Sequence, residues 1–298
     1  MREDQLKGII ETRARRPRAI AEAAATRRRP DSPFNPDGNV MIIAADHTAR
    51  GMLGTGTRPL IMADRADLLD RLCLALSRPG VNGVLGTPDI IEDLLLLEAL
   101  HDKVIIGSMN RGGLAGSVFE LDDRFTAYDA DSIAAMGYEG GKMLLRIDSE
   151  DYATAATLDA CGRAVSDLAR RELIAMVEPF VSSRVDGRLR NELTPEATIR
   201  SMTISAALGT TSAYTWLKIP AVSDMERVMA ATTLPAVILG GEVSADPDAA
   251  FEAWRVALAQ PTVMGLVAGR SLLYPGDDDV AAAVDTAVGL LPKAGARA

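Results

Sequence analysis

Histidine is nearly missing from this chain: His47 and His101 are the only two in 298 residues. That count excludes a histidine-rich metal centre, so no metal and no cofactor are expected. Cysteine is as scarce. Cys73 and Cys161 both lie in helix-like segments and can build neither a disulfide framework nor a zinc-ligand spacing, which fits a reducing cytoplasm. No run approaches the apolar length needed to span a bilayer, and the N-terminus lacks the apolar core of a signal peptide. Lysine is rare too, with five (Lys7, Lys103, Lys142, Lys218, Lys293) beside 27 arginines, since Lys+Arg is 32.

The net charge of −9 argues against a general nucleic-acid binder, because no stripe of cations is left to neutralise phosphates. The charge is uneven. Residues 1–30 hold nine Lys/Arg against four acids, about +5, which leaves about −14 for the rest. Such an arm could touch nucleic acid or a membrane surface. The plainer reading is a solvated helix that covers the bottom of a domain or meets another subunit, and neither a nucleic-acid nor a membrane partner is expected.

With 48% hydrophobic residues the chain can bury a large core. After the turn-rich stretch 30–38, short apolar runs alternate with longer segments of helical period. Strands are expected at Val40–Asp46, Gly83–Gly86, Val104–Gly107, Gly141–Asp148, Leu173–Pro179, Thr215–Pro220, Ala236–Gly240 and Val263–Ala268. Helices are expected between them, among others at Ala66–Ser77, Ile90–His101, Thr154–Arg171 and Pro195–Leu208. Eight strands, each backed by a helix, predict an α/β fold: a single (β/α)8 TIM barrel over 39–298, with a basic helical N-terminal extension over 1–38. An open sheet remains the alternative, but the glycine-rich dinucleotide fingerprint is missing after the first strand. The connection 108–131, Asn110-Arg111-Gly112-Gly113 through Asp122-Asp123-Arg124, is long enough to be a site loop.

Strands buried on both faces are nearly continuous Val, Ile and Leu, so ionisable groups inside them are informative. Lys218 sits in Tyr214-Thr215-Trp216-Leu217-Lys218-Ile219-Pro220. A lysine kept partly neutral there is a nucleophile for a carbonyl carbon. Alternation puts Lys142, Leu144, Arg146 and Asp148 on one face of the fourth strand, with Met143, Leu145 and Ile147 on the other. Lys142 and Lys218 would then both point inward, and a second ammonium favours the neutral amine. Asp46-His47 follows the first strand, and Glu178 is expected at the end of the fifth. A buried lysine–carboxylate pair that merely fills the barrel is the structural alternative; the clustering of Lys218, Lys142, Glu178 and Asp46 favours catalysis.

The last two strands end in Gly240-Gly241-Glu242 and Gly269-Arg270-Ser271. Short turns and a following helix start make a recurring phosphate site in such barrels. Arg270 adds a fork for phosphate oxygens, whereas Glu242 would repel phosphate unless it points away.

Six stretches carry a resemblance. They are Ile42-Ile43-Ala44-Ala45-Asp46-His47, Gly141-Lys142-Met143-Leu144-Leu145, Ala175-Met176-Val177-Glu178-Pro179, Trp216-Leu217-Lys218-Ile219-Pro220, Val237-Ile238-Leu239-Gly240-Gly241 and Gly265-Leu266-Val267-Ala268-Gly269-Arg270. In this order, over 40–275, the chain resembles the class I aldolases of the deoxyribose-phosphate, tagatose-bisphosphate and archaeal-type fructose-bisphosphate superfamily. The resemblance implies Lys218 as the Schiff-base lysine, Asp46 near substrate hydroxyls, and phosphate on the last two loops. The tagatose-bisphosphate branch suggests Lys142 and Glu178 as inward partners; the archaeal-type branch has a tyrosine acid/base where this chain offers Glu178. The chain is similar, more narrowly, to an actinobacterial aldolase-like group associated with myo-inositol breakdown. That likeness implies cleavage of 2-deoxy-5-keto-gluconate 6-phosphate to dihydroxyacetone phosphate and malonate semialdehyde.

The expected site is therefore Lys218, Glu178, Lys142 and Asp46 for catalysis. His47, Arg146, Asp148, Gly240, Gly241, Gly269, Arg270 and Ser271 would bind a small phosphorylated sugar. Related barrels form homo-oligomers, which is also expected here. Two rivals stay open: a sugar-phosphate isomerase or epimerase using Glu178 and Asp46 as acid and base, and a non-catalytic barrel whose arm mediates assembly.

Overall fold

The computed structural model describes residues 3–241 and 246–295. Two helices, α1 (Glu3–Arg15) and α2 (Arg18–Thr26), precede the sheet. Then follow β1 (Val40–Ala44), α3 (Arg65–Ser77), β2 (Gly83–Gly86), α4 (Pro88–Leu96), β3 (Val104–Ser108), α5 (Ala130–Ala135), β4 (Gly140–Ile147) and α6 (Ala153–Ala169). The second half holds β5 (Ile174–Val185), β6 (Arg188–Asn191), α7 (Pro195–Ala206), β7 (Thr215–Ile219), α8 (Met225–Met229) and β8 (Ala236–Leu239). It ends with α9 (Pro247–Leu258), β9 (Val263–Ala268), α10 (Arg270–Leu273) and α11 (Val280–Gly289).

Eight parallel strands close on themselves. The pairing runs β4-β3-β2-β1-β9-β8-β7-β5, and β4 also pairs with β5, so among the described residues these eight strands close into a barrel. This is the TIM barrel expected from the strand–helix alternation. Several helices start where the sequence supplies a cap: Asp64 accepts from Ala66 N at 2.8 Å, and Thr194 accepts from Ala197 N at 3.2 Å with Pro195 in the first turn.

The ninth strand was not foreseen. β5 runs seven residues past Glu178, to Val185, and folds back as the antiparallel strand β6. Asp186 and Gly187 turn the hairpin with φ of 51° and 75°. An Asp-Gly pair favours this kind of tight turn. Glu178 is therefore inside the strand and not at its end, and Ser182, paired to Asn191, belongs to a projecting ribbon.

Alternation sorts the side chains into two shells. Met143, Leu145 and Ile147 of β4 join the outer core between strands and helices. Inside the barrel, Val40, Ile42 and Ala44 meet Leu85, Val104, Ile106, Met176, Trp216, Val237 and Val267. Phe34, in the segment before β1, stacks on Trp216 with ring centroids 5.5 Å apart and so plugs the N-terminal end of the barrel. The basic arm packs beside that end. Arg27, almost fully buried, donates to the carbonyls of Lys103 (2.6 Å) and Gly137 (2.7 Å) and to Glu139 (2.9 Å). Arg13 in α1 reaches Glu92 at 2.9 Å and Asp93 at 2.8 Å in α4. No helix among the described residues is long and apolar enough to cross a membrane.

Candidate active site

Three strands and the segments that follow two others place five charged groups in one buried layer at the C-terminal end of the barrel. Lys142 (β4), Glu178 (β5) and Lys218 (β7) are 2%, 8% and 5% exposed. Register explains their meeting: Lys142 lies opposite Met176, and Met176 opposite Trp216, so the next inward residues on β5 and β7 are Glu178 and Lys218. Both ammonium groups bond to Glu178, Lys218 to Oε1 and Lys142 to Oε2. Lys142 Nζ also lies 3.3 Å from Asp46 Oδ2. Ser108 Oγ donates to the same oxygen at 2.9 Å. Arg111 Nη1 is 3.0 Å from it and donates to the Asp46 carbonyl at 2.9 Å.

The layer holds three cationic side chains and two carboxylates. Burial acts to raise the Asp46 carboxyl, but Arg111 and then Lys142 hold it well below the usual carboxylate range. For Glu178 burial also acts upward, and Lys142 and Lys218 outweigh it, bringing the group to about 2. Burial lowers Lys142 to about 8 even against the pull of Asp46 and Glu178. Both carboxylates are thus ionised at neutral pH, and burial eases the release of a proton from Lys142. That release would bring the layer to neutrality.

His47 stands beside this layer. Burial drives its imidazole down to about 3, so it is neutral, and its Nδ1 is buried without a hydrogen-bond partner. Arg270 acts on it electrostatically, since β9 pairs with β1 and their exits adjoin. Gly269 makes the approach possible: a Cβ there would lie 2.1 Å from the Ala44 carbonyl oxygen. Ser271 Oγ is likewise buried without a partner. Gly240 and Gly241 follow β8, with Gly241 at φ 69°. Glu242 lies outside the described residues.

Two of the expected residues sit apart from the lysines. Arg146 does not meet the layer; it bonds Glu120 Oε1 at 2.6 Å and the Glu120 carbonyl at 2.5 Å, tying the loop after β3 to β4. Asp148 caps a turn, accepting from Glu150 N at 3.0 Å. It lines a cleft of about 620 Å³ with Ser182, Arg184, Glu192 and Arg200, none of them in the lysine layer.

Sequence reading missed Arg111 and Ser108. Ser108 was visible as the next inward residue after Ile106, but a serine carries no burial cost that would single it out. Arg111 is placed by long-range ties of the loop. Arg50 donates to the carbonyls of Gly113 (2.5 Å) and Asn110 (3.0 Å) and pairs with Asp123. Asn110 pins the loop to Leu144 through two bonds, 2.6 and 2.8 Å long.

The profile of the Cgl0159-like family matches residues 38–288. The crystal structure of Cgl0159 from Corynebacterium glutamicum is 49% identical, covers 98% of each chain and superposes with a TM-score of 0.95. A Schiff-base-forming fructose-1,6-bisphosphate aldolase is 18% identical over 92% of this chain and 100% of its own, with a TM-score of 0.64. An archaeal fructose-1,6-bisphosphate aldolase, with its catalytic lysine bound to a carbinolamine intermediate, is 16% identical over 91% and 99%, with a TM-score of 0.62. At that identity the likeness shows the fold. No curated protein sequence matches the chain.

Proposed function

This chain belongs to the Cgl0159-like family, and we propose that it is a class I aldolase that cleaves a phosphorylated keto sugar or sugar acid through a Schiff base on Lys218. One observation carries the reading. Two lysines from different strands share a single buried carboxylate in the mouth of a closed barrel, beside a second carboxylate. A structural ion pair needs one partner, and burying a surplus cation costs several kcal/mol. Carbonyl chemistry gives the surplus a use.

Lys218 Nζ, its proton taken by Lys142 in its neutral form, attacks the ketone carbon, and Lys142 returns that proton to the hydroxyl that leaves as water. The carbinolamine loses water and leaves a protonated imine. A base then removes the proton from the hydroxyl on the carbon to be released. The carbon–carbon bond breaks, its electrons move into the imine to give an enamine, and an aldehyde departs. Protonation at carbon and hydrolysis return the amine and free the second product.

Glu178, at about 2, is a poor base while both ammonium groups hold it. Lys142 is the largest of the downward influences, so its deprotonation lets burial raise the carboxylate into a useful range. Lys142 and Glu178 thus act as one proton-transfer unit. Gly240, Gly241, Gly269, Arg270 and Ser271 would hold the phosphate, so that remote binding energy positions the scissile bond. The sequence resemblance makes 2-deoxy-5-keto-gluconate 6-phosphate the first compound to assay.

Borohydride reduction in the presence of substrate should leave a stable adduct on the peptide carrying Lys218, read by mass spectrometry. An adduct on Lys142 would exchange the two roles. Turnover with no adduct on either lysine would remove the Schiff base and favour an isomerase or epimerase.

A further inference from the structure

Arg111 is the arginine of the lysine layer, and its guanidinium is not used up. The residue is 6% exposed. Nε donates to the Asn110 carbonyl at 2.7 Å, and Nη1 serves the carbonyl and carboxylate of Asp46. Nη2 is buried and has no hydrogen-bond partner. Leaving a buried donor unpaired is costly, the more so on a charged group. Such a cost is tolerated where a ligand supplies the missing acceptor.

Its position narrows the acceptor. Around the ring β3 stands four strands from β8, diametrically opposite. Arg111 follows β3, while Gly240 and Gly241 follow β8. Lys218 on β7 and Asp46 after β1 lie between these walls. A substrate anchored by phosphate at the β8–β9 side and held by Lys218 at its carbonyl presents its far end to Arg111. While Lys142 is protonated, the three cations and two carboxylates of the layer leave one positive charge that a bound carboxylate would offset. The remaining donor is single and adjoins Asp46, which suits a monoanionic carboxylate; a phosphate dianion would need several donors and would meet Asp46 as a like charge.

The geometry points to Arg111 as the specificity-determining residue, binding a carboxylate on the end of the substrate remote from its phosphate. The inference rests on the aldolase reading and sharpens it: the preferred substrate is a phosphorylated keto acid sugar, not a ketose bisphosphate.

The test compares Arg111→Met and Arg111→Lys with the wild type on a phosphorylated keto sugar acid and on its counterpart bearing a primary alcohol in place of the carboxylate. The wild type should prefer the acid. Arg111→Met should lose about 10- to 100-fold more in kcat/KM on the acid than on the alcohol, the excess lying chiefly in KM. Arg111→Lys keeps the charge but not the fork and should fall between; it also serves if Arg111→Met fails to fold. Equal losses on both substrates, wild-type preference for the alcohol, or preference for a bisphosphate would overturn the proposal. A second arm needs no turnover: binding of propanoate, a monoanion, followed by calorimetry, should weaken at least about tenfold in Arg111→Met and less in Arg111→Lys. Unchanged propanoate affinity in Arg111→Met would overturn the role of Arg111. Absence of a borohydride adduct in the wild type, with propanoate binding still dependent on Arg111, would remove the aldolase reading alone.

Discussion

Two successive layers of side chains fill the barrel, on the same strands and two residues apart, and they have opposite chemistry. The lower layer carries Ala44, Ile106, Met176 and Trp216, all apolar. One step up each strand, the inward positions become Asp46, Ser108, Glu178 and Lys218. On β4 the step runs from Gly140 to Lys142. The fold is closed by the lower layer and would lose nothing if the upper one were also apolar, since well-packed hydrophobic replacements for buried ion clusters are often neutral or stabilising. The contrast teaches where stability and chemistry separate along a single strand.

Lys218→Met should break the comparison most sharply. It makes the upper layer resemble the lower, while Glu178 keeps its bond to Lys142. Aldol cleavage should fall by about 10⁴-fold or more, as for loss of a nucleophile, while the urea midpoint holds or rises. A variant that unfolds at much lower urea, or retains turnover, would contradict the division of labour. The converse change is Ile106→Ala. Ile106 is fully buried in the lower layer, and the truncation should cost about 2–5 kcal/mol in urea unfolding. Turnover per folded molecule should stay within a few-fold of the wild type.

The layers also differ in how they answer to pH. Lys142 falls from 10.5 to about 8 on folding, because burial disfavours its charged form. The native state then binds fewer protons than the unfolded chain between about pH 8 and 10.5, so stability rises with pH across that window. The rise from this group is at most about 3 kcal/mol. Lys142→Met should flatten it, as seen by urea titrations at about pH 7.5 and about pH 10.5. Ile106→Ala should leave the slope intact.

The sequence made the lower layer and the strands that carry it legible, because period-two burial and turn residues are local signals. It also made Lys142, Glu178 and Lys218 legible, since a charge inside an apolar strand is costly and visible. The hairpin after β5 was signalled by Asp186-Gly187 but hidden by the expectation that a barrel strand ends at its mouth. α4 was read to His101, whereas it stops at Leu96, with Glu98 and Asp102 at positive φ. Arg111 could not be singled out among 27 arginines. Its place depends on Arg50–Asp123 and Arg146–Glu120, contacts between residues 26 to 73 apart in sequence.

That dependence supplies the gentlest way to sharpen the comparison. The upper layer is completed by a loop, and the lower layer is not, so loosening the loop should touch one and spare the other. In Glu120→Gln the charge opposite Arg146 disappears, while the bond from Arg146 to the Glu120 carbonyl remains. The loop would stay closed on average but open more often, and Arg111 and Asn110 would move with it. KM for a phosphorylated keto acid should rise by about three- to tenfold, in keeping with a charge-assisted bond weakened to a neutral one. kcat should stay near the wild-type value, because Lys142, Glu178 and Lys218 stand on strands. Amide exchange should quicken over 112–124 and stay unchanged in β3 and β5. Faster exchange in those strands would mean that the loop supports the barrel itself, and the separation between the two layers would fail.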